Sequence, residues 1–345
     1  MHIGRSIGVL GAGAWGVAIA SHWARLGYEV YIWCFEEEAY ADILVGKAGP
    51  FLPGVTISPN VHPTQELKDV FANASLIFEC VPILYLRHVI TECEPYYLPE
   101  KHLIIATAKG VEPESYLIAT KVIRSVLTAM HHELFFCGIN YAKDLAIKSF
   151  SAGVISGNEP GLCLEIRRLM DTDDFKVEFN PDYVGLQVCS AFKNMLFIVL
   201  GVFRGMNASA NITAFFVTKC FKEIGNIVKS AGGQVETVFE LVSSLDILVD
   251  SANIESNPKF KLGCFIGRGI PLEEISRNSC LPEGINALIS IVGLGQQLGL
   301  YLPICQAVID YVVSGYAIDL IARAKFLSTY EQQQHNAEVQ AANSH

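Results

Sequence analysis

The sequence predicts an α/β N-terminal domain with a parallel sheet, joined to an all-helical C-terminal domain. Three observations carry that prediction. Short β-branched runs alternate with amphipathic stretches through the first half. The character changes near Pro181, beyond which long helical patterns replace strand signals. The chain has 345 residues, and at about 100–200 residues per domain two domains are the natural expectation. The expected division is 1–181, 182–327 and a tail, 328–345, rich in Gln, Asn, Ala and His and expected to be disordered.

The elements follow in order. Ser6–Leu10 reads as a buried strand, and Trp15–Leu26 as a helix stopped by Gly27. Glu29–Phe35, Leu76–Val81 and Leu103–Ala106 read as the next strands, with Leu134–Cys137 and Ala152–Ser156 as two more. Leu52-Pro53-Gly54 and Ser58-Pro59-Asn60 punctuate a loop. In the second half Tyr183–Phe203, Ile212–Ala231, Pro271–Asn278, Gly284–Leu298 and Pro303–Leu327 are expected as helices.

Composition removes several classes of function. The net charge of −10 argues against a nucleic-acid partner, whose phosphates call for the opposite sign. Apolar residues make up 51% and charged residues 17%, enough to build a large core. The longest apolar run, Met195–Phe203, is too short for a span of about 20 residues, so no membrane partner is expected. The N-terminus lacks the h-region of a signal peptide, and ten cysteines are scattered without a CxxC. A reduced, cytoplasmic protein is expected, and no metal-ligand set is assigned.

Gly11-Ala12-Gly13-Ala14-Trp15-Gly16 is a GxGxxG loop between the first strand and the first helix. In that context the first glycine allows the turn, the second admits a pyrophosphate and the third lets helix and strand pack closely. The helix N-terminus adds N–H groups and positive potential. The second strand ends in Trp33-Cys34-Phe35-Glu36-Glu37-Glu38, with no Arg or Lys for a 2′-phosphate. NAD is therefore favoured over NADP. The acidic run is equally a solvated helix N-terminus, and both readings can hold.

These motifs resemble the NAD-dependent glycerol-3-phosphate dehydrogenase family over nearly the whole chain. The resemblance rests on GAGAWG at 11–16, WCFEEE at 33–38, Leu52-Pro53-Gly54, Pro59-Asn60-Val61 and Val81-Pro82. It continues through Ala108-Lys109-Gly110-Val111-Glu112, Gly138-Ile139-Asn140-Tyr141-Ala142, Ala191-Phe192-Lys193-Asn194 and Leu281-Pro282-Glu283-Gly284. It implies a Rossmann-type N-terminal domain, a helical C-terminal domain and a homodimer. The implied activity is reversible reduction of dihydroxyacetone phosphate, a small-molecule substrate, to sn-glycerol 3-phosphate with NADH.

The resemblance also implies residue roles. Lys193, Lys109 and Asp246 stand at catalytic positions. Gly11, Gly13, Ala14, Trp15, Gly16, Phe35, Pro82, Tyr85, Lys109, Ala142 and Glu283 are implied in cofactor binding. Lys109, Asn140, Lys193, Asn194, Asn257 and Lys259 are implied at the substrate. Carbonyl reduction needs a proton donor and positive charge where the oxyanion develops. Lys193 lies in the apolar stretch Ala191–Val199, where desolvation would lower its pKa; the competing reading is a lysine snorkelling to the surface. Tyr85 is equally a core tyrosine, and helix capping is the alternative reading of Asp246.

The pattern breaks on the substrate side. Where the family carries an Arg-Asn pair that clamps the phosphate, Asp250–Lys261 contains no arginine. The arginine position falls on Glu255 or Asn257, with Lys259 or Lys261 as a remaining point charge. Three functions stay open: an active dehydrogenase with a rearranged clamp, a dehydrogenase of another small hydroxyacid, or a nucleotide-binding protein without turnover.

Overall fold

A computed structural model describes residues 3–139, 141–239, 254–271, 274–275 and 281–314. The expected helix Pro271–Asn278 and the tail from Ser328 therefore lie largely or wholly outside the described residues.

The first half alternates as read: β1 (Ser6–Leu10), α1 (Ala14–Arg25), β2 (Glu29–Trp33), α2 (Glu37–Leu44), β3 (Val61–Thr64), α3 (Leu67–Asn73), β4 (Leu76–Glu79) and α4 (Ile83–Cys93). It continues with β5 (Leu103–Ala106), α5 (Ala119–Val126), β6 (Leu134–Ile139), α6 (Ala142–Ala146), β7 (Ser151–Gly157), α7 (Pro160–Met170) and β8 (Phe175–Phe179). The strands form one sheet in the order β3-β2-β1-β4-β5-β6-β7-β8. All neighbours are parallel except β6 and β7. Apolar cores cover both faces, as a parallel sheet requires: Val9, Ile32 and Phe78 lie in one core, Leu10, Ile77 and Ile104 in the other.

Three departures from the sequence reading have physical causes. The sheet is not wholly parallel, because only the short α6 and its flanking turns join β6 to β7. β3 was concealed by Pro63 and His62; a proline is tolerated there because β3 is an edge strand. β8 follows a period of two, with Phe175 and Val177 buried and Lys176 and Glu178 exposed.

The second half holds α8 (Tyr183–Gly205), α9 (Ala210–Ser230), α10 (Pro258–Gly267), α11 (Leu281–Gln297) and α12 (Pro303–Ser314). The sequence reading had no counterpart to α10. The expected helix to Leu327 is described only to Ser314. By length and hydropathy α8 would qualify to cross a membrane, but 83% of its most apolar window is buried inside the protein, as in a core helix.

Two features fix α8. Its N-cap Asp182 accepts from Gly185 N at 2.8 Å, and also from Gln234 N at 2.7 Å and Thr237 Oγ1 at 2.6 Å. Gln187 binds α5, accepting from Thr120 N at 3.0 Å and donating to Thr120 Oγ1 at 3.1 Å. The segment after β5 also reaches the helices. Val111 and Ile118, joined by a β-bridge, sit in the helical core, and a Cβ at Gly293 of α11 would strike the Tyr116 ring.

Candidate active site

A cavity of about 370 Å³ opens at the C-terminal ends of the central strands, where the strand order reverses between β1 and β4. Open α/β sheets place ligands at such a switch point. One wall belongs to the sheet. It comprises Ala14 and Trp15 at the start of α1, Cys80–Ile83 after β4, Thr107–Lys109 after β5, Phe136–Gly138 of β6, and Ala142. The opposite wall is helical: Lys193 and Asn194 of α8, and Lys259 of α10.

The glycine loop fits a dinucleotide pyrophosphate. Gly11 has φ +107°, a conformation that favours glycine, and a Cβ there would stand 2.8 Å from the Cys80 carbonyl oxygen. A Cβ at Gly16 would run into the Gly11 carbonyl oxygen, so helix and loop touch there. A Cβ at Gly13 would meet nothing within 4 Å. Gly13 is also the N-cap of α1 and supplies no side chain, leaving the first-turn N–H groups to an outside anion. The close-packed outer glycines and the open middle one form a cradle of the shape a diphosphate needs. Trp15 stacks on Phe136 with ring centroids 6.2 Å apart.

The lysines reach the cavity from three elements. Lys109 follows β5, and its Nζ donates to the Gly138 carbonyl at 3.4 Å. Gly110, with φ +156°, turns the chain behind it, where a Cβ would press on Ile83. Lys193 and Asn194 are half-buried, interrupting the fully buried run Gly185–Phe192 of α8, and that break faces the cavity. The position of Lys259 follows from helix register. A Cβ at Gly201 would meet Phe260 and Gly263, and one at Gly205 would meet Cys264 and Gly267. Four residues along α8 thus correspond to four along α10, so the helices run in the same direction at close approach. One turn before Gly263, Lys259 comes level with Asn194–Phe197. Among the described residues the lining contains three lysines and no carboxylate.

Other expected residues lie elsewhere. Phe35 is 76% exposed and Tyr85 61% exposed, and neither lines the cavity, so Tyr85 is no core tyrosine. Asn257 is not a cavity ligand: it is the N-cap of α10, its Oδ1 accepting from Lys259 N at 2.9 Å and Phe260 N at 3.2 Å. Glu255, the other position aligned with the missing arginine, points toward Arg204 at 3.9 Å and not into the cavity. Asn140 and Asp246 lie outside the described residues, and Glu283 falls in the first turn of α11, where only the backbone is described.

Sequence reasoning missed Thr107 and Glu79. Glu79 is fully buried beneath the cavity floor, and burial pushes its carboxyl up to about 7 against the pull of three backbone N–H groups. Its signal was a lone acid within the apolar run Leu76–Val81.

Comparisons with known proteins agree with this geometry. Residues 6–163 match the family profile described as NAD-dependent glycerol-3-phosphate dehydrogenase N-terminus, and residues 182–322 match its C-terminus. The chain is 26% identical over 304 residues to glycerol-3-phosphate dehydrogenase (NAD(P)+) of Citrifermentans bemidjiense, covering 87% of this chain and 90% of that protein. It is 29% identical over 306 residues to the enzyme of the same name from Koribacter versatilis, with coverage of 87% and 90%. The crystal structure of glycerol-3-phosphate dehydrogenase from Coxiella burnetii superposes with a TM-score of 0.80 at 23% identity, covering 93% of this chain and 98% of that one, and shows a shared fold. The two profile matches together span most of the sequence, and the chain belongs to the NAD-dependent glycerol-3-phosphate dehydrogenase family.

Proposed function

We propose that this chain is a glycerol-3-phosphate dehydrogenase that interconverts dihydroxyacetone phosphate and sn-glycerol 3-phosphate, using NAD in preference to NADP. One observation carries the reading: a single cavity has the glycine loop's helix on one wall and Lys193 with Asn194 on the facing wall. A bound nicotinamide supplies or accepts the hydride. The chain's own residues do the rest. Lys193 holds positive charge at the substrate oxygen and gives or takes its proton, while Lys109 polarises the same carbonyl from the sheet side. Asn194 orients the substrate hydroxyls. Asp246 and Asn140 belong to this reading as partners of the lysine and the substrate.

Lys259 takes the substrate phosphate as a point charge. Losing a bidentate guanidinium contact costs about 1.5–3 kcal/mol, roughly one to two orders of magnitude in affinity. Glu36, Glu37 and Glu38, all exposed at the start of α2, disfavour a 2′-phosphate. The reading includes the division of the chain at 181/182, a homodimer, a cytoplasmic location, and a role supplying glycerophospholipid precursors.

The test is oxidation of NADH by the full chain with dihydroxyacetone phosphate, followed by absorbance. Turnover is expected. NADH binding with no turnover above buffer would overturn it and leave a second reading, nucleotide binding without catalysis, which the absence of an arginine from the described lining favours.

A further inference from the structure

Parallel strands that end side by side leave backbone N–H groups without ladder partners once their chains diverge. β4 and β5 end in this way at Glu79 and Ala106, which are partners in register. Beyond them one chain turns into α4 and the other leads to Lys109 and the segment anchored in the helices. The Glu79 side chain, 0% exposed, fills the fork. One carboxylate oxygen accepts from Val81 N at 2.6 Å. The other accepts from Thr107 N at 3.1 Å and Ala108 N at 3.3 Å. A second tie joins the same strands, Thr107 Oγ1 donating to the Glu79 carbonyl at 2.7 Å. Val81, Thr107 and Ala108 all line the cavity, and so do their neighbours Pro82 and Lys109.

We propose that Glu79 is a positioning residue: its carboxylate clamps the β4 and β5 loops together and so fixes where Lys109 meets the substrate. The inference rests on the reading of Lys109 as a substrate lysine. It is specific to an ionised carboxylate, which accepts on both oxygens. A carboxylic acid or an amide carries hydrogen on one of the two atoms and presents it to an N–H group, so one loop is released. An apolar residue at 79 would release both. The titratable groups that feel Glu79 are Cys80 beside it, whose thiol burial and then the Glu79 charge push upward, and Cys93 of α4, pushed upward by burial, then Glu92, then Glu79. Neither can take over a clamp made of three N–H donors.

The experiment compares wild type, Glu79→Gln, Lys109→Met and the double variant, measuring NADH affinity, melting, and steady-state kinetics with dihydroxyacetone phosphate from about pH 6 to about pH 8.5. Glu79→Gln should keep NADH affinity and folding and raise KM for dihydroxyacetone phosphate roughly tenfold or more. It should also abolish an inflection of kcat/KM near neutral pH, and add little in the Lys109→Met background. A folded Glu79→Gln with wild-type KM and pH profile, or with full additivity, would overturn the proposal. If that variant does not fold, amide exchange in the wild-type protein decides. Protection at Val81, Thr107 and Ala108 should fall together as pH drops below neutrality, and independent or unchanged protection overturns the clamp. Exchange needs no turnover, so a wild type inactive on dihydroxyacetone phosphate would reject the proposed function and still leave the clamp decided.

Discussion

The two walls of the cavity are built in different ways. The sheet wall comes from contiguous pieces: residues 11–16 make the dinucleotide cradle by themselves, and the short segments after β4 and β5 line the rest of that wall. The helical wall has no local motif of comparable density. Lys193 and Lys259 are 66 positions apart in sequence and meet because α8 and α10 lie in register across Gly201, Gly205, Gly263 and Gly267. A pyrophosphate cradle is a property of a loop, whereas an anion site on packed helices is a property of their crossing. The second kind of wall can change its ligands while the helix contact persists, and Lys259, proposed above for the substrate phosphate, lies on that wall.

The largest effect that would sharpen this contrast is loss of the proton donor proposed for the helical wall. Lys193→Ala should lower kcat by about 10²–10⁴-fold and leave NADH affinity near wild type. Fluorescence titration of NADH beside steady-state turnover checks it. A parallel loss of NADH binding would mean that the walls are not separable.

A smaller effect is expected at Lys259. Removing one charged contact to phosphate, Lys259→Ala, should raise KM for dihydroxyacetone phosphate by about ten- to a hundredfold with a lesser change in kcat. Lys259→Arg should preserve or tighten substrate binding, since the planar fork matches phosphate. If Lys259→Ala is neutral while Lys261→Ala is not, the register argument that places Lys259 opposite Lys193 fails.

The register itself is open to a stability measurement. A branched side chain at Gly263 would meet the Ile198 carbonyl oxygen and the backbone of Gly201 and Val202, atoms that cannot step aside. Gly263→Val should destabilise by about 1–3 kcal/mol, lowering Tm by a few degrees for each kcal/mol. Scanning calorimetry gives the first quantity, and a raised KM in the surviving enzyme gives the second. Destabilisation with unchanged KM would separate helix packing from phosphate recognition.

What could be read in advance followed the same division. The glycine loop, the strand-helix alternation and the shift near Pro181 are local signals, and they placed Lys109 and Lys193 on elements that meet at one cleft. The reversal at β7 was not legible, because strand direction depends on how a five-residue helix and its turns close, not on strand composition. α10 was hidden for a related reason. Its glycines argue against a helix on propensity, yet they allow its approach to α8, and tertiary contact outweighs propensity there. Asn257 was expected at the substrate, and only the N–H groups of Lys259 and Phe260, from which its Oδ1 accepts, make it the cap of α10.

The smallest predicted effect returns to the sheet wall and its choice of nucleotide. Glu36, Glu37 and Glu38 are exposed at the end of β2, and Glu36 has the extended backbone of an N-cap without a side-chain bond into α2. Its carboxylate is therefore not committed to the helix and can act on a nucleotide lying across the strand end. Glu36→Arg removes a repulsive charge and adds an attractive one for a 2′-phosphate. At a solvated site such an exchange is worth about 0.5–1.5 kcal/mol, a factor of about two to ten in the NADPH/NADH ratio of kcat/KM. The same change places a cation at a helix N-terminus, costing about 0.3–1 kcal/mol of stability. Dihydroxyacetone phosphate KM should stay fixed with either nucleotide, because the residues proposed to meet the substrate, Lys109, Lys193 and Lys259, are not at the end of β2. A change in substrate KM accompanying the nucleotide switch would show that the two walls are coupled through the cofactor, contrary to the separation their construction predicts.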